Sequence, residues 1–119
     1  MGIAGSRHSV AMDASSSEKT ANSPIEMVLA GLCGCTASDV VSILTKKREP
    51  FTGLEVRAEA EQAPEPPKVF TAIRLVYKVR GNVSKKAMED AVRLSKEKYC
   101  SVSAMLEKTA VITFEIEYD

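Results

Sequence analysis

The most apolar part of the chain has the pattern of one long helix. Ser23, Pro24 and Glu26 form the pattern of a helix start: an N-cap, a proline at the first helical position, and an acidic residue three positions after the cap. Residues 46–48 are all basic, which suits the negative end of a helix, and Pro50 prevents its continuation. We therefore predict a helix over residues 23–48.

This helix is expected to be the centre of the fold. From Met27 to Ala37 it is apolar or small on nearly every side, a pattern typical of a buried helix. Asp39 interrupts its apolar run, so we do not expect it to span a bilayer.

Alternating apolar and polar residues elsewhere predict strands. Strands are predicted over residues 8–13, 54–60, 69–79 and 110–118. The inward-facing side chains of the last three are expected to be Leu54, Val56, Ala58, Ala60, Ile73, Leu75, Tyr77, Val79, Ala110, Ile112, Phe114, Ile116 and Tyr118. The proline-rich segment 61–67 connects two of them, which predicts a hairpin.

A second helix is expected between the hairpin and the last strand. Ser84 is its predicted N-cap, and its apolar face is predicted to carry Met88, Ala91, Val92 and Tyr99. The pattern breaks at residues 99–101, and a short third helix follows through Leu106.

These elements predict an α+β fold in a single domain over residues 1–119, with an antiparallel or mixed sheet and helices on one side. The first helix has more apolar surface than one face of a small sheet can cover. A second copy of the same helix would balance the burial, so the pattern favours a homodimer.

Composition excludes several classes of function. The chain has 119 residues, with 16 basic and 16 acidic side chains, and this balance argues against a nucleic-acid partner or a basic membrane anchor. The N-terminus lacks the pattern of a signal peptide, so we expect a cytoplasmic protein. Three cysteines are too few for a secreted disulfide scaffold, and they are interpreted as reactive, metal-binding or buried thiols.

The three cysteines have different expected settings. At about 100° per residue, Cys33 and Cys35 point about 160° apart on the helix, so they cannot form an ordinary disulfide with each other. Cys100 precedes a predicted helix start, which is expected to lower its thiol pKa. Separated thiols of this kind fit a peroxidatic and resolving pair. The face of Cys35 also carries Gly31, Leu32, Ser38, Asp39 and Ser42, whose polar members need partners if they are buried.

Alternative interpretations remain for these residues. A cysteine in a helix core is commonly a small apolar side chain. Asp39 disfavours a thiolate at Cys35 unless a cation such as Arg7 compensates, and Glu26 is interpreted first as the helix cap. His8 is interpreted as a surface or turn residue.

A zinc site is a further alternative. Its ligands would be Cys33, Cys35, Cys100 and His8, but the first two lie on opposite helix faces, so no metal site is predicted.

Three segments resemble the OsmC/Ohr superfamily of osmotically inducible and organic hydroperoxide resistance proteins, most closely its YhfA-like branch. They are residues 5–13, the helix with its core Gly-Cys-Thr-Ala-Ser-Asp-Val, and the distal Lys-Tyr-Cys-Ser-Val of residues 98–102. The resemblance covers nearly the whole chain.

The resemblance implies an OsmC-like fold with a long central helix and a second helix, assembled as an intertwined homodimer with two active sites at its interface. It also implies thiol-dependent reduction of organic hydroperoxides, and possible activity on hydrogen peroxide, without a cofactor. Cys35 matches the peroxidatic position and Cys100 the resolving one, while Cys33 has no assigned role. The implied partners are a small hydroperoxide and a dithiol or lipoyl-type reductant, with no nucleic acid or membrane.

Two positions depart from the family's peroxidases. Their N-terminal arginine has no clear match here, since Arg7 is placed differently. Their glutamate lies ten residues before the peroxidatic cysteine, where this chain has Ile25, and Glu26 lies nine before it. The alternative function is a redox sensor or small-ligand-binding protein of the same fold, and a third possibility is a structural dimer with buried thiols.

Overall fold

A computed structural model describes residues 2–3, 5, 9–12 and 21–119 of the chain. Its elements in order are β1 (Gly2–Ile3), β2 (Ser9–Val10), α1 (Pro24–Lys46), β3 (Phe51–Gln62), β4 (Phe70–Gly81), α2 (Lys85–Leu94), a π-helical turn (Ser95–Tyr99), α3 (Ser101–Leu106) and β5 (Val111–Tyr118). The predicted α+β class is confirmed. The residues group into two compact units, 1–31 and 32–119, and the expectation of one domain stays a prediction.

The first unit contains a short antiparallel pair and the start of α1. Gly2 pairs with Val10 and Ile3 with Ser9, so the strand predicted over residues 8–13 is shorter than expected. The predicted capping box is present: the Ser23 N–H donates to Glu26 Oε1 at 3.0 Å, and the Glu26 N–H donates to Ser23 Oγ at 3.3 Å.

The second unit contains a three-stranded sheet with the order β3-β4-β5. β3 and β4 are antiparallel neighbours, which confirms the hairpin with its proline-rich connection. β5 runs parallel to β4, so the sheet is mixed, and the connection between them carries α2, the π-helical turn and α3. A parallel neighbour requires such a long crossover, which is why the second group of helices lies at this point of the sequence.

The central strand β4 carries most of the sheet's core. Its predicted inward residues, Ile73, Leu75, Tyr77 and Val79, are all buried. Ala60 and Tyr118, predicted to face inward near the ends of the outer strands, are exposed instead. The opposite face of the sheet is charged and carries ion pairs between Arg57 and Glu117 and between Arg74 and both Glu59 and Glu115.

Helix α1 is buried along one stripe only. Its buried residues are Leu32, Thr36, Val40 and Leu44, each one turn from the next, while Val41 remains 38% exposed. The expectation of burial on all sides is therefore wrong within one chain. The expectation that no segment suits a membrane is also corrected: among the described residues, α1 is long and apolar enough to cross one, although core helices of soluble proteins meet the same criterion.

The π-helical turn changes which residues of the second helix face inward. Ser84 caps α2, with its Oγ accepting the Ala87 N–H at 3.2 Å, as predicted. Beyond Leu94 the helical turn becomes wider. The Cys100 N–H donates to the Ser95 carbonyl oxygen five residues earlier, at 2.8 Å. Ser95 is consequently fully buried, whereas Tyr99, predicted on the apolar face, is 51% exposed.

Candidate functional site

Two of the three cysteines meet between α1 and the end of the π-helical turn. The sulfurs of Cys35 and Cys100 and a carboxylate oxygen of Asp39 all lie within 4.8 Å of one another. Cys35 and Asp39 are one helical turn apart and share a face of α1, which brings both to the same neighbour. Cys33 is not part of this group, and all three thiols are free.

Cys100 is held by the backbone where two helical segments meet. It has an extended conformation, with φ −78° and ψ 105°, and it is the N-cap residue of α3. Its Sγ accepts the Ser103 N–H at 3.4 Å, and only 3% of the residue is exposed.

The expected lowering of the Cys100 pKa is wrong. Burial and the hydrogen bond with Cys35 raise the pKa of Cys100 to about 11, and the bond from the Ser103 N–H only partly opposes them. The helix that follows has six residues, and its favourable end does not compensate for the loss of solvent. Burial also raises the pKa of the Cys33 thiol.

A chain of buried hydroxyl groups ends at Asp39. Thr36 Oγ1 lies 2.7 Å from Tyr77 Oη and 2.8 Å from Ser95 Oγ, and Ser95 Oγ donates to Asp39 Oδ2 at 2.8 Å. Each hydroxyl has a single hydrogen. Because Ser95 gives its hydrogen to Asp39, Thr36 donates to Ser95, and Tyr77 in turn donates to Thr36. The contacts thus fix one direction of donation, from the sheet to the carboxylate.

Tyr77 is well suited to begin this chain. Burial raises the pKa of Tyr77 to about 12, partly opposed by its bond to Thr36, with Cys100, Cys33 and Asp39 adding smaller upward effects. The phenol therefore keeps its proton and remains a donor over the ordinary pH range.

The sequence interpretation missed three members of this network: Thr36, Tyr77 and Ser95. Thr36 carried the only available signal, since it is a polar residue within an apolar helix stretch. Ser38 and Ser42, singled out on the Cys35 face, are exposed and do not require buried partners.

A cavity of about 320 Å³ opens beside Asp39. Its wall combines apolar side chains with the two lysines at the end of α1, and it is lined by Asp39, Ser42, Ile43, Lys46, Lys47, Leu94 and Tyr99. A larger cavity of about 410 Å³ lies along the sheet and is lined by no member of the group formed by Cys35, Asp39 and Cys100. The smaller cavity shares Asp39 with this group, and the thiols themselves do not line it.

Other residues considered in the sequence have different placements. Arg7 and His8 lie outside the described residues. Glu26 has the capping role described above, and Ile25 is 39% exposed. Of the zinc ligands considered, Cys35 and Cys100 lie together with Asp39, Cys33 is outside that group, and His8 lies outside the described residues.

Comparison with known proteins agrees with this architecture. A family model described as OsmC-like protein matches residues 16–115. The chain belongs to the OsmC-like family. The family segment includes both members of the thiol pair and every residue of the hydroxyl chain.

Individual relatives extend the OsmC-like match over most of the chain. Protein YhfA of Escherichia coli K12 is 46% identical over 118 residues, which cover 98% of this chain and 87% of YhfA. A hypothetical protein from Aquifex aeolicus VF5 is 33% identical, with a TM-score of 0.76 over 85% of this chain and 78% of that one. A Legionella pneumophila protein described as an organic hydroperoxide resistance protein OsmC is 17% identical, with a TM-score of 0.68 over 84% and 72% of the respective chains, and it shares the fold.

Proposed function

We propose that this OsmC-like protein is a thiol peroxidase that reduces organic hydroperoxides with Cys35 as nucleophile and Cys100 as resolving thiol. The supporting observation is the separation of the two sulfurs, which is no more than 4.8 Å although the residues are 65 positions apart. A Legionella pneumophila protein with the same fold is described as an organic hydroperoxide resistance protein OsmC, which supports organic hydroperoxides as the substrate class.

The proposed reaction has three balanced steps. The Cys35 thiolate attacks the terminal oxygen of the hydroperoxide, so that an S–O bond forms, the O–O bond breaks, and the alkoxide leaves and is protonated to an alcohol. Cys100 then attacks the sulfur of the sulfenic acid, which forms a disulfide and releases water. An external dithiol reduces this disulfide by exchange and is itself oxidised.

The geometry suits the second step of this reaction. An S–S bond measures about 2 Å, so the sulfurs must approach each other before it forms. Cys100 lies at the extended residue between the π-helical turn and α3, where a change in one or two backbone torsions moves its sulfur. Cys33, outside the group, serves as an internal reference thiol.

The cavity beside Asp39 is the proposed substrate site. Ile43, Leu94 and Tyr99 offer apolar contact for the organic part of a hydroperoxide, next to the carboxylate that adjoins the thiols. This arrangement favours organic hydroperoxides over hydrogen peroxide, which has no apolar part to bind.

Steady-state consumption of cumene hydroperoxide tests the proposal. Turnover should require an added dithiol and should fall to the background rate in Cys35→Ser, while Cys33→Ser, a change of the same kind two residues away, should keep it. Peptide mass analysis of the oxidised protein should show a disulfide between Cys35 and Cys100. Full turnover by Cys35→Ser would refute the assignment.

A redox sensor of the same fold is the second candidate. It is favoured by the raised pKa of Cys100, because a resolving thiol that is protonated near neutral pH attacks slowly. A sensor would consume about one equivalent of hydroperoxide per thiol pair and then stop. Continued turnover in excess dithiol distinguishes the peroxidase from the sensor.

We also propose that the protein assembles as a homodimer. Val28 and Val41 of α1 are each 38% exposed on an apolar helix of which one stripe alone is buried. A second copy would cover the remainder with a surface of the same character. Light scattering should give twice the mass of one chain, and Val41→Lys should shift the protein toward the monomer. A wild-type monomer at high concentration would contradict the proposal.

A further inference from the structure

The thiol pair also has the composition of a metal site. We propose that reduced Cys35 and Cys100 bind one zinc ion together with Asp39. These three residues supply two sulfurs and one carboxylate oxygen, all within 4.8 Å of one another. Thiolate sulfur and carboxylate oxygen are both common zinc ligands.

The spacing of the three donor atoms is close to what zinc requires. Zn–S bonds of about 2.3 Å and Zn–O bonds of about 2.1 Å in a tetrahedron place neighbouring ligands about 3.5–3.8 Å apart. The donor atoms lie at most 4.8 Å apart, so side-chain rotations that move them by about an ångström are enough to reach these distances. The backbone of α1 already places Cys35 and Asp39 one turn apart on one face, the relation that suits two ligands of a single ion.

Two of the donors are also oriented by outer contacts. Asp39 Oδ2 accepts the Ser95 hydroxyl at 2.8 Å, and Cys100 Sγ accepts the Ser103 N–H at 3.4 Å. Hydrogen bonds of this kind fix the direction of metal ligands and strengthen binding. Ser95 is itself held by Thr36, so the carboxylate is supported from the far side of the network.

The charge of the group favours a divalent cation. The Cys100 thiol keeps its proton in the metal-free protein, so zinc binding must displace it. With both thiols deprotonated, the group carries three negative charges, and a divalent ion reduces the net negative charge to one. The cost of assembling these charges in a partly buried position is relieved when such an ion binds.

Three protein ligands leave one coordination position of a tetrahedral zinc ion open. Asp39 also lines the cavity of about 320 Å³, so this position can be filled by water or a small ligand from that side. Zinc bound to both sulfurs would accept the sulfur lone pair of Cys35, which is the electron pair that attacks a peroxide. The consequence for activity rests on the proposed peroxidase function, while the binding itself does not: zinc is expected to inhibit turnover and to protect the thiols from oxidation.

The direct test is titration of the reduced, metal-free protein with Zn²⁺ in competition with a chromogenic chelator. We expect one ion per chain. Cys35→Ser and Cys100→Ser should each weaken binding at least about 100-fold, since loss of even an outer partner costs about 10- to 100-fold. Asp39→Asn should weaken it by at least about tenfold. Cys33→Ser, the matched control, should bind like the wild type.

Cobalt substitution identifies the ligands independently of affinity. Co²⁺ at this site should show the intense near-ultraviolet absorption of thiolate ligation and the visible bands of tetrahedral geometry. Both should disappear when the two thiols are capped with methyl methanethiosulfonate in the Cys33→Ser variant, whose fold circular dichroism can verify. Retention of Zn²⁺ affinity in Cys100→Ser, or cobalt binding without the thiolate absorption, would overturn the inference.

The two proposals can fail separately. If the metal-free protein has no peroxidase turnover but binds Zn²⁺ through the three residues, the metal site stands and the peroxidase assignment falls. If turnover is present and one equivalent of Zn²⁺ neither binds nor inhibits it, the metal site falls and the peroxidase stands.

Discussion

Two polar regions of the molecule satisfy their charges and hydrogen bonds in different ways. Between α1 and the π-helical turn, a short chain of hydroxyl groups leads to Asp39, and Ser95 and Thr36 at its centre are 0% and 2% exposed. On the outer face of the sheet, Arg57 and Glu117 form an ion pair with side chains that are 49% and 45% exposed.

The two regions differ in whether water can replace a hydrogen-bond partner that a substitution removes. Water can bond to either member of the surface pair, so that breaking it costs little. Water is excluded from the buried chain, where removal of one hydroxyl leaves its neighbours without a partner. The region with fewer formal charges is therefore expected to contribute more to the stability of the fold. The following predictions test this comparison, from the largest expected effect to the smallest.

Ser95→Ala should destabilise the protein by about 2–3 kcal/mol, because the Thr36 hydroxyl loses its acceptor and Asp39 loses a donor. Ser103→Ala is the matched control: Ser103 is likewise buried, at 2% exposure, but its Oγ has no hydrogen-bond partner among the described residues. That change should alter stability by less than about 0.5 kcal/mol or increase it slightly. Urea unfolding of the two variants measures both values, and equal losses would contradict the importance of the chain.

Alkaline pH should weaken the same region more gradually. The pKa of Cys100 is raised from 9.0 to about 11 and that of Tyr77 from 10.0 to about 12, chiefly by burial. The folded state thus keeps protons that the unfolded state has lost, so this stability is fully present below about pH 9 and declines through about pH 12. The urea midpoint as a function of pH should show the decline.

Tyrosine substitutions separate the two contributions to this pH dependence. Tyr77→Phe should remove the part of the stability loss that falls between about pH 10 and 12. In that range the Tyr77 phenol is ionised in the unfolded protein but keeps its proton in the folded one. Tyr118→Phe is the control, since Tyr118 is 40% exposed and its pKa is raised less by burial. An unchanged alkaline decline in Tyr77→Phe would show that the phenol does not contribute.

Breaking the surface ion pair should have the smallest effect. Arg57→Gln keeps most of the side-chain length and removes the charge that faces Glu117 at 3.2 Å. We expect a loss below about 1 kcal/mol, and a still smaller loss in high salt. A loss as large as that of Ser95→Ala would reverse the comparison between the two regions.

The local signals in the sequence were sufficient for most of the fold. The capping box at Ser23 and Glu26, the cap at Ser84 and the alternation along β4 depend on neighbouring residues, and each is confirmed. The sequence also identified two separated thiols, because Cys35 and Cys100 occur in recognisable local settings.

Long-range contacts account for what the sequence did not predict. The burial of Ser95 depends on a local widening of the helix, and a pattern with 3.6-residue spacing instead predicted Tyr99 on that face. The pKa of Cys100 depends on desolvation and on Cys35, which comes from another element, and the helix-end argument could not include either. The place of Cys100 before a helix suggested a lowered thiol pKa, whereas burial by its neighbours raised it.

The hydrogen bond that closes the π-helical turn requires five residues from Ser95 to Cys100. This bond spans five residues where an ordinary α-helical turn spans four, so the loss of a single residue there would restore a regular helix. If the turn instead closed as an ordinary α-helical turn with no residue removed, Cys100 would rotate by about 100° relative to Ser95, and its sulfur would separate from the carboxylate that Ser95 supports. In alignments of OsmC-like proteins, a one-residue gap in this segment would therefore indicate a regular helical turn that still leaves the distal cysteine beside the carboxylate.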